Sequence, residues 1–179
     1  MTAPFRLEPL DARHDRKAFE CGEEALDRYF QRQVTQDIRR RITSGFVAVE
    51  SATDRVAAFY TLASASIPLS DLPPDLVERL PRYPVVPAVR IGRLAVDRRF
   101  HGRGLGGALL ADAVRRTLQA PLAAFALLVD AKNDQAAAFY QHHGFRILAS
   151  QPRILFLPLA VAEKELLDSG NWNSGAPTE

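Results

Sequence analysis

The chain has 179 residues, 47% hydrophobic and 25% charged, which is globular composition and long enough for one domain with a sizeable core. The formal net charge is only +2, yet arginine supplies nearly all the positive charge, the lysines being Lys17, Lys132 and Lys164; this bias suits planar, bidentate phosphate recognition and equally suits a GC-rich genome. One cysteine, Cys21, excludes an internal disulfide and a thiolate zinc cluster and reads as a small buried apolar residue, so no metal is expected.

The opening Met-Thr-Ala-Pro-Phe-Arg-Leu-Glu lacks the apolar run of a secretory signal, and charge interrupts every long apolar segment well short of a membrane span, so a cytoplasmic protein is expected. Phe5 to Pro9 reads as a strand. Glu23 to about Arg41 reads as one amphipathic helix in which Leu26, Tyr29, Phe30, Val34 and Ile38 share a broad apolar face. Opposite them, Arg28, Arg32 and Arg39 fall within roughly 40° of one another on an ideal helix, a basic stripe that Arg40 and Arg41 extend. Such a stripe suits a polyanion, through phosphate contacts, and is also what a plain solvated face looks like. Arg79, Arg82, Arg90 and Arg93 add positive charge further along.

Ser44 to Glu50 and Val56 to Ala65 read as strands joined by a hairpin around Thr53-Asp54. Ser66 to Pro87 is rich in proline and reads as a long functional loop with a short helix around Asp75 to Leu80. Ala88 to Val96 is the central strand and Gly104 to Leu118 a helix. Phe125 to Asp130 is a continuous apolar strand, Asp134 to His142 a helix, and Phe145 to Ala149 and Ile154 to Leu159 are strands. The last residues, 169–179, are Gly, Ser, Asn and Pro in large part and read as a disordered tail behind a single domain over residues 1–168.

Between the central strand and its helix runs Arg93-Leu-Ala-Val-Asp-Arg-Arg-Phe-His-Gly-Arg-Gly-Leu-Gly-Gly107. A glycine-rich turn opening a helix is a pyrophosphate cradle in sequence form: successive N–H groups point inward and the helix adds about half a positive charge at its first turn. Gly102, Gly104 and Gly107 also satisfy the dinucleotide fingerprint, with Asp130 near the place of a ribose-binding acid. That reading wants its first glycine at the strand end, whereas Asp97 to His101 intervene, and it wants several more βα units than about 50 residues allow. No Lys-Ser or Lys-Thr follows the glycines, which excludes a Walker loop.

The pattern Arg99-x-x-Gly102-x-Gly104 after a strand and before an amphipathic helix resembles the acyl-CoA signature of the GNAT N-acetyltransferases, over about residues 4 to 160. The resemblance implies an α/β (α+β) fold with a central mixed, mostly antiparallel sheet flanked by helices, and acetyl-CoA as cosubstrate. It implies that Leu94, Ala95 and Val96 offer backbone groups to the pantetheine, that Arg99, Gly102, Arg103, Gly104, Leu105 and Gly106 hold the pyrophosphate, and that Asn133 bonds the pantetheine arm. It also places the general acid at Tyr140, which would protonate the leaving thiolate. Helical spacing of Ala136, Phe139, Tyr140 and His143 equally describes a core aromatic. His142 and His143 sit at a helix end, where imidazoles satisfy terminal carbonyls, and neither is assigned as a base; His101 is read as a phosphate contact or a solvated turn residue.

A narrower resemblance rests on Glu8-Pro-Leu-Asp-Ala-Arg-His-Asp15, the Phe19-Glu-Cys-Gly22 turn followed by Leu26-Asp-Arg-Tyr-Phe30, Phe59-Tyr-Thr-Leu-Ala-Ser64 and Gly92-Arg-Leu-Ala-Val-Asp97. Together these look like the acetyltransferase toxins of bacterial toxin-antitoxin pairs, which acetylate aminoacyl-tRNA and stop translation. The resemblance implies tRNA contacts from Arg28, Arg32, Arg39, Arg40, Arg90 and Arg93, a ribbon-helix-helix antitoxin as partner, and a homodimer. The alternatives are an acetyltransferase for a small-molecule or protein amine, with cationic acceptors disfavoured by the basic surface, and a catalytically silent acyl-CoA-binding protein.

Overall fold

The computed structural model describes residues 2–168; the tail expected over 169–179 lies outside them. In chain order the elements are β1 (Phe5–Pro9), α1 (Glu24–Arg32), α2 (Val34–Arg39), β2 (Ser44–Glu50), β3 (Val56–Pro68), α3 (Pro74–Val77), β4 (Val85–Val96), α4 (Leu105–Gln119), β5 (Ala126–Asp130), α5 (Asp134–His142), β6 (Arg146–Leu148), β7 (Gln151–Pro158) and α6 (Leu159–Asp168). The strands form a seven-stranded sheet ordered β1-β2-β3-β4-β5-β7-β6. β1–β2, β2–β3, β5–β7 and β6–β7 are antiparallel, and β4 and β5 are parallel, as a helical crossover through α4 requires. This is the mixed, mostly antiparallel sheet with flanking helices that the sequence implied.

The chain divides into two compact units, residues 2–63 with 92–113, and residues 64–91 with 114–168. The first is built on Phe19, Tyr29, Phe30, Val34, Val47, Val49, Val56, Phe59 and Ala95. Phe30 stacks on Phe59 with ring centroids 4.1 Å apart, and Phe19 meets both edge-on, so the aromatic face of α1 is fixed against β3. The second is built on Ile67, Leu72, Val86, Ala88, Ala126, Leu128, Leu148 and Phe156.

Four expectations change. The helix over 23–41 is two helices, because Gln33 leaves helical geometry at φ −116°, ψ −33° while its N–H still reaches Tyr29 O; Arg41, at φ +62°, then ends α2 in the left-handed region. The angular stripe computed for one helix therefore does not carry from Arg32 to Arg39. The long loop over 66–87 is shorter: β3 runs on to Pro68 and β4 begins at Val85, with Ile67, Leu72 and Val86 buried as core. The alternation continues through Ala63-Ser-Ala-Ser-Ile67, but its small residues hide the period that large ones would show. β7 starts at Gln151, three residues early, and α6 was not expected at all. Among the described residues no helix is long and apolar enough to cross a membrane.

Candidate active site

In the first unit, β4 passes into the glycine turn through a buried carboxylate. Asp97 accepts from the Arg99 N–H at 2.9 Å, from Arg99 Nε at 2.9 Å and Nη2 at 3.0 Å, and from the Glu20 N–H at 3.0 Å. Its own N–H donates to Ala57 O, and the Arg98 N–H donates to Glu20 O. These bonds fasten the turn at Phe19–Gly22 to the end of β4. Burial alone would raise the Asp97 pKa, but the Arg99 side chain and the two amides outweigh it and hold the acid below its ordinary range.

Beyond this clamp, Gly102 and Gly104 take φ +77° and +75°, and a Cβ on either would meet open space. Glycine is there because the backbone is left-handed, not because a neighbour is close. The N–H groups of Gly102 through Gly107 donate to nothing among the described residues, the first bond of the helix being Ala108 N–H to Gly104 O. A row of unclaimed donors at the head of a fifteen-residue helix fits an anionic pyrophosphate. Leu105 is buried and anchors the helix start, while Gly106 is half-buried. The β4–β5 register runs from Ala88↔Ala126 to Ile91↔Val129, and β4 continues to Val96. Leu94 and Val96 are half-buried and Ala95 packs in the core of this unit. His101 turns its Nε2 to Val96 O at 2.7 Å.

The cradle arginines differ. Arg99 is held by Asp97. Arg98 pairs with Glu20 at 3.3 Å, and Arg103 stands 3.6 Å from Glu50 with its guanidinium 5.4 Å from the Phe100 ring centroid. On the helices, Arg28 pairs with Glu24 at 2.6 Å, and Arg32, Arg39 and Arg40 are exposed. Arg93 is half-buried, its guanidinium carbon 3.6 Å from the centroid of the Tyr29 ring, and the Tyr29 hydroxyl donates to Asp37 Oδ2 at 2.9 Å. Sequence reasoning missed Asp97, Glu20, Tyr29 and Asp37. Only Asp97 left a local signal, an Asp two residues before the amide it caps.

In the second unit, Tyr140 is 7% exposed and its ring packs edge-on against Phe139 and Phe145, with centroids 5.2 and 5.5 Å away. It is thus packed as the core reading expected. Its hydroxyl, however, has no bonded partner among the described residues and is not sealed off as a buried orphan. Burial pushes its pKa up to about 12. Asn133 Oδ1 caps α5, accepting from the Ala136 N–H at 2.8 Å. His143 is the C-cap of α5, and burial, with His142 beside it, lowers its pKa. Arg90 is half-buried on β4 in this unit. Among the described residues no group of His, Cys, Asp or Glu could hold a metal ion.

A family model described as an acetyltransferase (GNAT) domain matches residues 73–147. The tRNA-acetylating toxin of Mycobacterium tuberculosis (strain ATCC 25618 / H37Rv) is 37% identical over 158 residues, covering 87% of this chain and 91% of that protein. Among solved structures, the AtaT toxin complexed with acetyl-methionyl-tRNAfMet superposes with a TM-score of 0.84 at 31% identity, over 90% of this chain and 99% of that one. AtaTR bound with AcCoA gives a TM-score of 0.76 at 29% identity, over 91% and 98%. A mutant AtaT bound to the C-terminus of the antitoxin AtaR gives 0.76 at 26%, over 90% and 98%.

Proposed function

The chain belongs to the GNAT acetyltransferases, among the tRNA-acetylating toxins, and from that membership we propose that it moves acetyl from acetyl-CoA to the amino group of an aminoacyl-tRNA and so blocks translation, with an antitoxin as its neutralising partner. The observation that carries the donor side is the row of unclaimed N–H groups from Gly102 to Gly107 at the head of α4. Acetyl-CoA supplies the activated thioester. The N–H groups of Gly102 to Gly106 and the Arg103 side chain hold its pyrophosphate, and the backbone of Leu94 to Val96 and the Asn133 amide hold the pantetheine. Arg99 keeps both Nη1 hydrogens and one on Nη2 for phosphate, while Nε–H and the other Nη2 hydrogen close on Asp97.

Transfer forms a C–N bond, breaks the C–S bond, and sends the Tyr140 hydroxyl proton to the departing sulfur, while the proton that the amine nitrogen sheds as it becomes an amide passes through water to restore the phenol. A phenol at about 12 holds its proton more tightly than an ordinary thiol at about 8.5, a gap of roughly 5 kcal/mol in water. A dry site narrows that gap, since it destabilises the thiolate as well. The acceptor needs no dedicated base, because an α-amine near 7.7 is partly neutral at physiological pH. Arg28, Arg32, Arg39, Arg40, Arg90 and Arg93 meet the tRNA phosphates. The acetyltransferase domain spans residues 1–168 and works in the cytoplasm as a homodimer.

Labelled acetyl-CoA incubated with the protein and a pool of charged tRNAs is expected to label aminoacyl ends. Binding of CoA without transfer to any charged tRNA overturns the reading.

A further inference from the structure

In the second unit, one side chain of β7 holds the turn from β5 into α5. β5 and β7 pair as far as Asp130 and Ile154, and the Ala131 N–H extends that ladder by one bond, to Arg153 O at 2.8 Å. The next carbonyl, Lys132 O, has left the ladder. Arg153 reaches it with its guanidinium, Nη1 donating at 2.9 Å, while Nη2 stands 3.2 Å from Asp134 Oδ1. A single residue thus fixes the chain at positions 131, 132 and 134.

The two side-chain contacts are unequal. Asp134 is 97% exposed and Arg153 half-exposed, so their ion pair is screened and weak. The bond to Lys132 O is charge-assisted and ends on the backbone, so it orients a rigid plane, the Lys132–Asn133 peptide. A guanidinium bonded to the oxygen of a peptide draws charge toward that oxygen and makes the N–H across the same peptide a stronger donor. That N–H belongs to half-buried Asn133, and it donates to nothing among the described residues. Both oxygens of Asn133 are engaged, the carbonyl by the Ala137 N–H at 3.0 Å and Oδ1 by the Ala136 N–H at 2.8 Å. What the residue has left is donors alone, its N–H and the Nδ2 hydrogens.

We infer that Arg153 is a positioning residue for the cofactor arm: through Lys132 O it orients and polarises the peptide whose N–H, beside the Asn133 side-chain amide, bonds a carbonyl of that arm. This rests on the acetyl-CoA reading above. Arg153 touches no cofactor atom in this account; it acts on the ligand through one backbone plane, and the exposed pair with Asp134 is incidental to it.

The test separates the two ends of the cofactor, titrating the full-length protein by calorimetry with acetyl-CoA and with 3′-phospho-ADP, its nucleotide half without the arm. Arg153→Gln is expected to weaken acetyl-CoA about five- to tenfold while the Kd for 3′-phospho-ADP stays as in the unaltered protein. Arg153→Lys keeps a charged donor for Lys132 O and is expected to bring the loss back to about two- to threefold. Asp134→Asn removes only the screened pair and is expected to change either Kd by less than about twofold. In the NMR spectrum of the unaltered protein, acetyl-CoA is expected to move the Asn133 backbone amide proton downfield, and 3′-phospho-ADP to leave it in place. Equal losses on both ligands would show a merely structural role and overturn the inference. So would an unchanged Kd for acetyl-CoA, or a loss in Asp134→Asn as large as that in Arg153→Gln. If Arg153→Gln fails to fold, Arg153→Lys and the Asn133 signal decide, and a signal indifferent to the arm overturns the inference. An unaltered protein that binds neither ligand overturns the underlying reading instead, before any variant is made.

Discussion

The Asp97 carboxylate, 1% exposed, is gripped on both oxygens by the Arg99 fork, Nε to Oδ1 at 2.9 Å and Nη2 to Oδ2 at 3.0 Å. The arginine whose spacing suggests a phosphate ligand is therefore first the clamp that sets how β4 enters the cradle. Asp97→Asn keeps the shape but removes the charge and turns one acceptor into a donor among four donors. The expected loss is about 2–4 kcal/mol in denaturant unfolding, the range for a broken buried pair discounted because Arg99 is partly exposed. Acetyl-CoA affinity measured by calorimetry is expected to fall with it, since the turn that follows loses its fixed start.

The same pair predicts an acid limb in stability. The folded Asp97 pKa is depressed, so the unfolded chain, at about 3.9, takes up the proton first as pH falls. The stabilisation is fully present above the unfolded value and is lost as pH drops from about 5 through the folded value. Urea midpoints measured between pH 7 and pH 3 are expected to fall more steeply for the unaltered protein than for Asp97→Asn. Parallel curves would remove Asp97 from the account.

What the sequence made legible was local. β1, β2 and α5 lie where their patterns place them, and the cradle shows itself because glycines at positive φ leave a mark in one dimension. What stayed hidden joins distant residues: Glu20 to Asp97 are 77 apart in sequence, and Arg93 meets a ring 64 positions earlier. No period or motif records such a contact. The break at Gln33 escaped as well, because the apolar face of α1 and α2 continues through Val34 and Ile38 while the backbone turns. α6 failed to register because the apolar run Ile154 to Leu159 reads as one strand across Pro158, the residue that in fact divides β7 from the helix.

Gly102 and Gly104 separate strain from crowding. An alanine at either meets no atom within 4 Å, so the cost comes from φ alone, about 1–2 kcal/mol. The backbone escapes that cost by leaving the left-handed region, which turns N–H groups away from the ligand. Gly104→Ala is thus expected to raise KM for acetyl-CoA about tenfold or more while melting within a few degrees of the unaltered protein. A large fall in melting temperature with an unchanged KM would contradict this.

Tyr140→Phe is expected to lower kcat about 100-fold or more, with acetyl-CoA affinity nearly intact, because it deletes the hydroxyl that gives the proton and keeps the packed ring. With the phenol pushed up to about 12, it stays protonated across the working range, and no fall in rate from its ionisation is expected below about pH 11. The rising limb of the kcat/KM profile then belongs to the acceptor amine, with a midpoint near 7.7 that shifts when the aminoacyl group is changed. A limb that stays in place for every acceptor would assign it to the protein instead.

Glu50 competes with the cofactor for Arg103. Their charged atoms are 3.6 Å apart, and Arg103 is half-exposed, so the pair is loose and contributes well under 1 kcal/mol to folding. It nevertheless holds a carboxylate beside the side chain proposed to receive the pyrophosphate, and an anion must outbid it. Glu50→Gln removes that competition, and its remaining side-chain oxygen still accepts from Thr53, now 2.6 Å from Glu50 Oε2. The expected result is a two- to fivefold tighter Kd for CoA at low salt, shrinking toward unity at about 1 M salt, where screening length falls to about 3 Å. Arg103→Gln should weaken binding and cancel the gain in the double variant, a non-additivity that places both residues on the same phosphate. Glu50→Gln that tightens CoA equally with and without Arg103 would mean that Glu50 acts through the general field of the cradle rather than through this arginine.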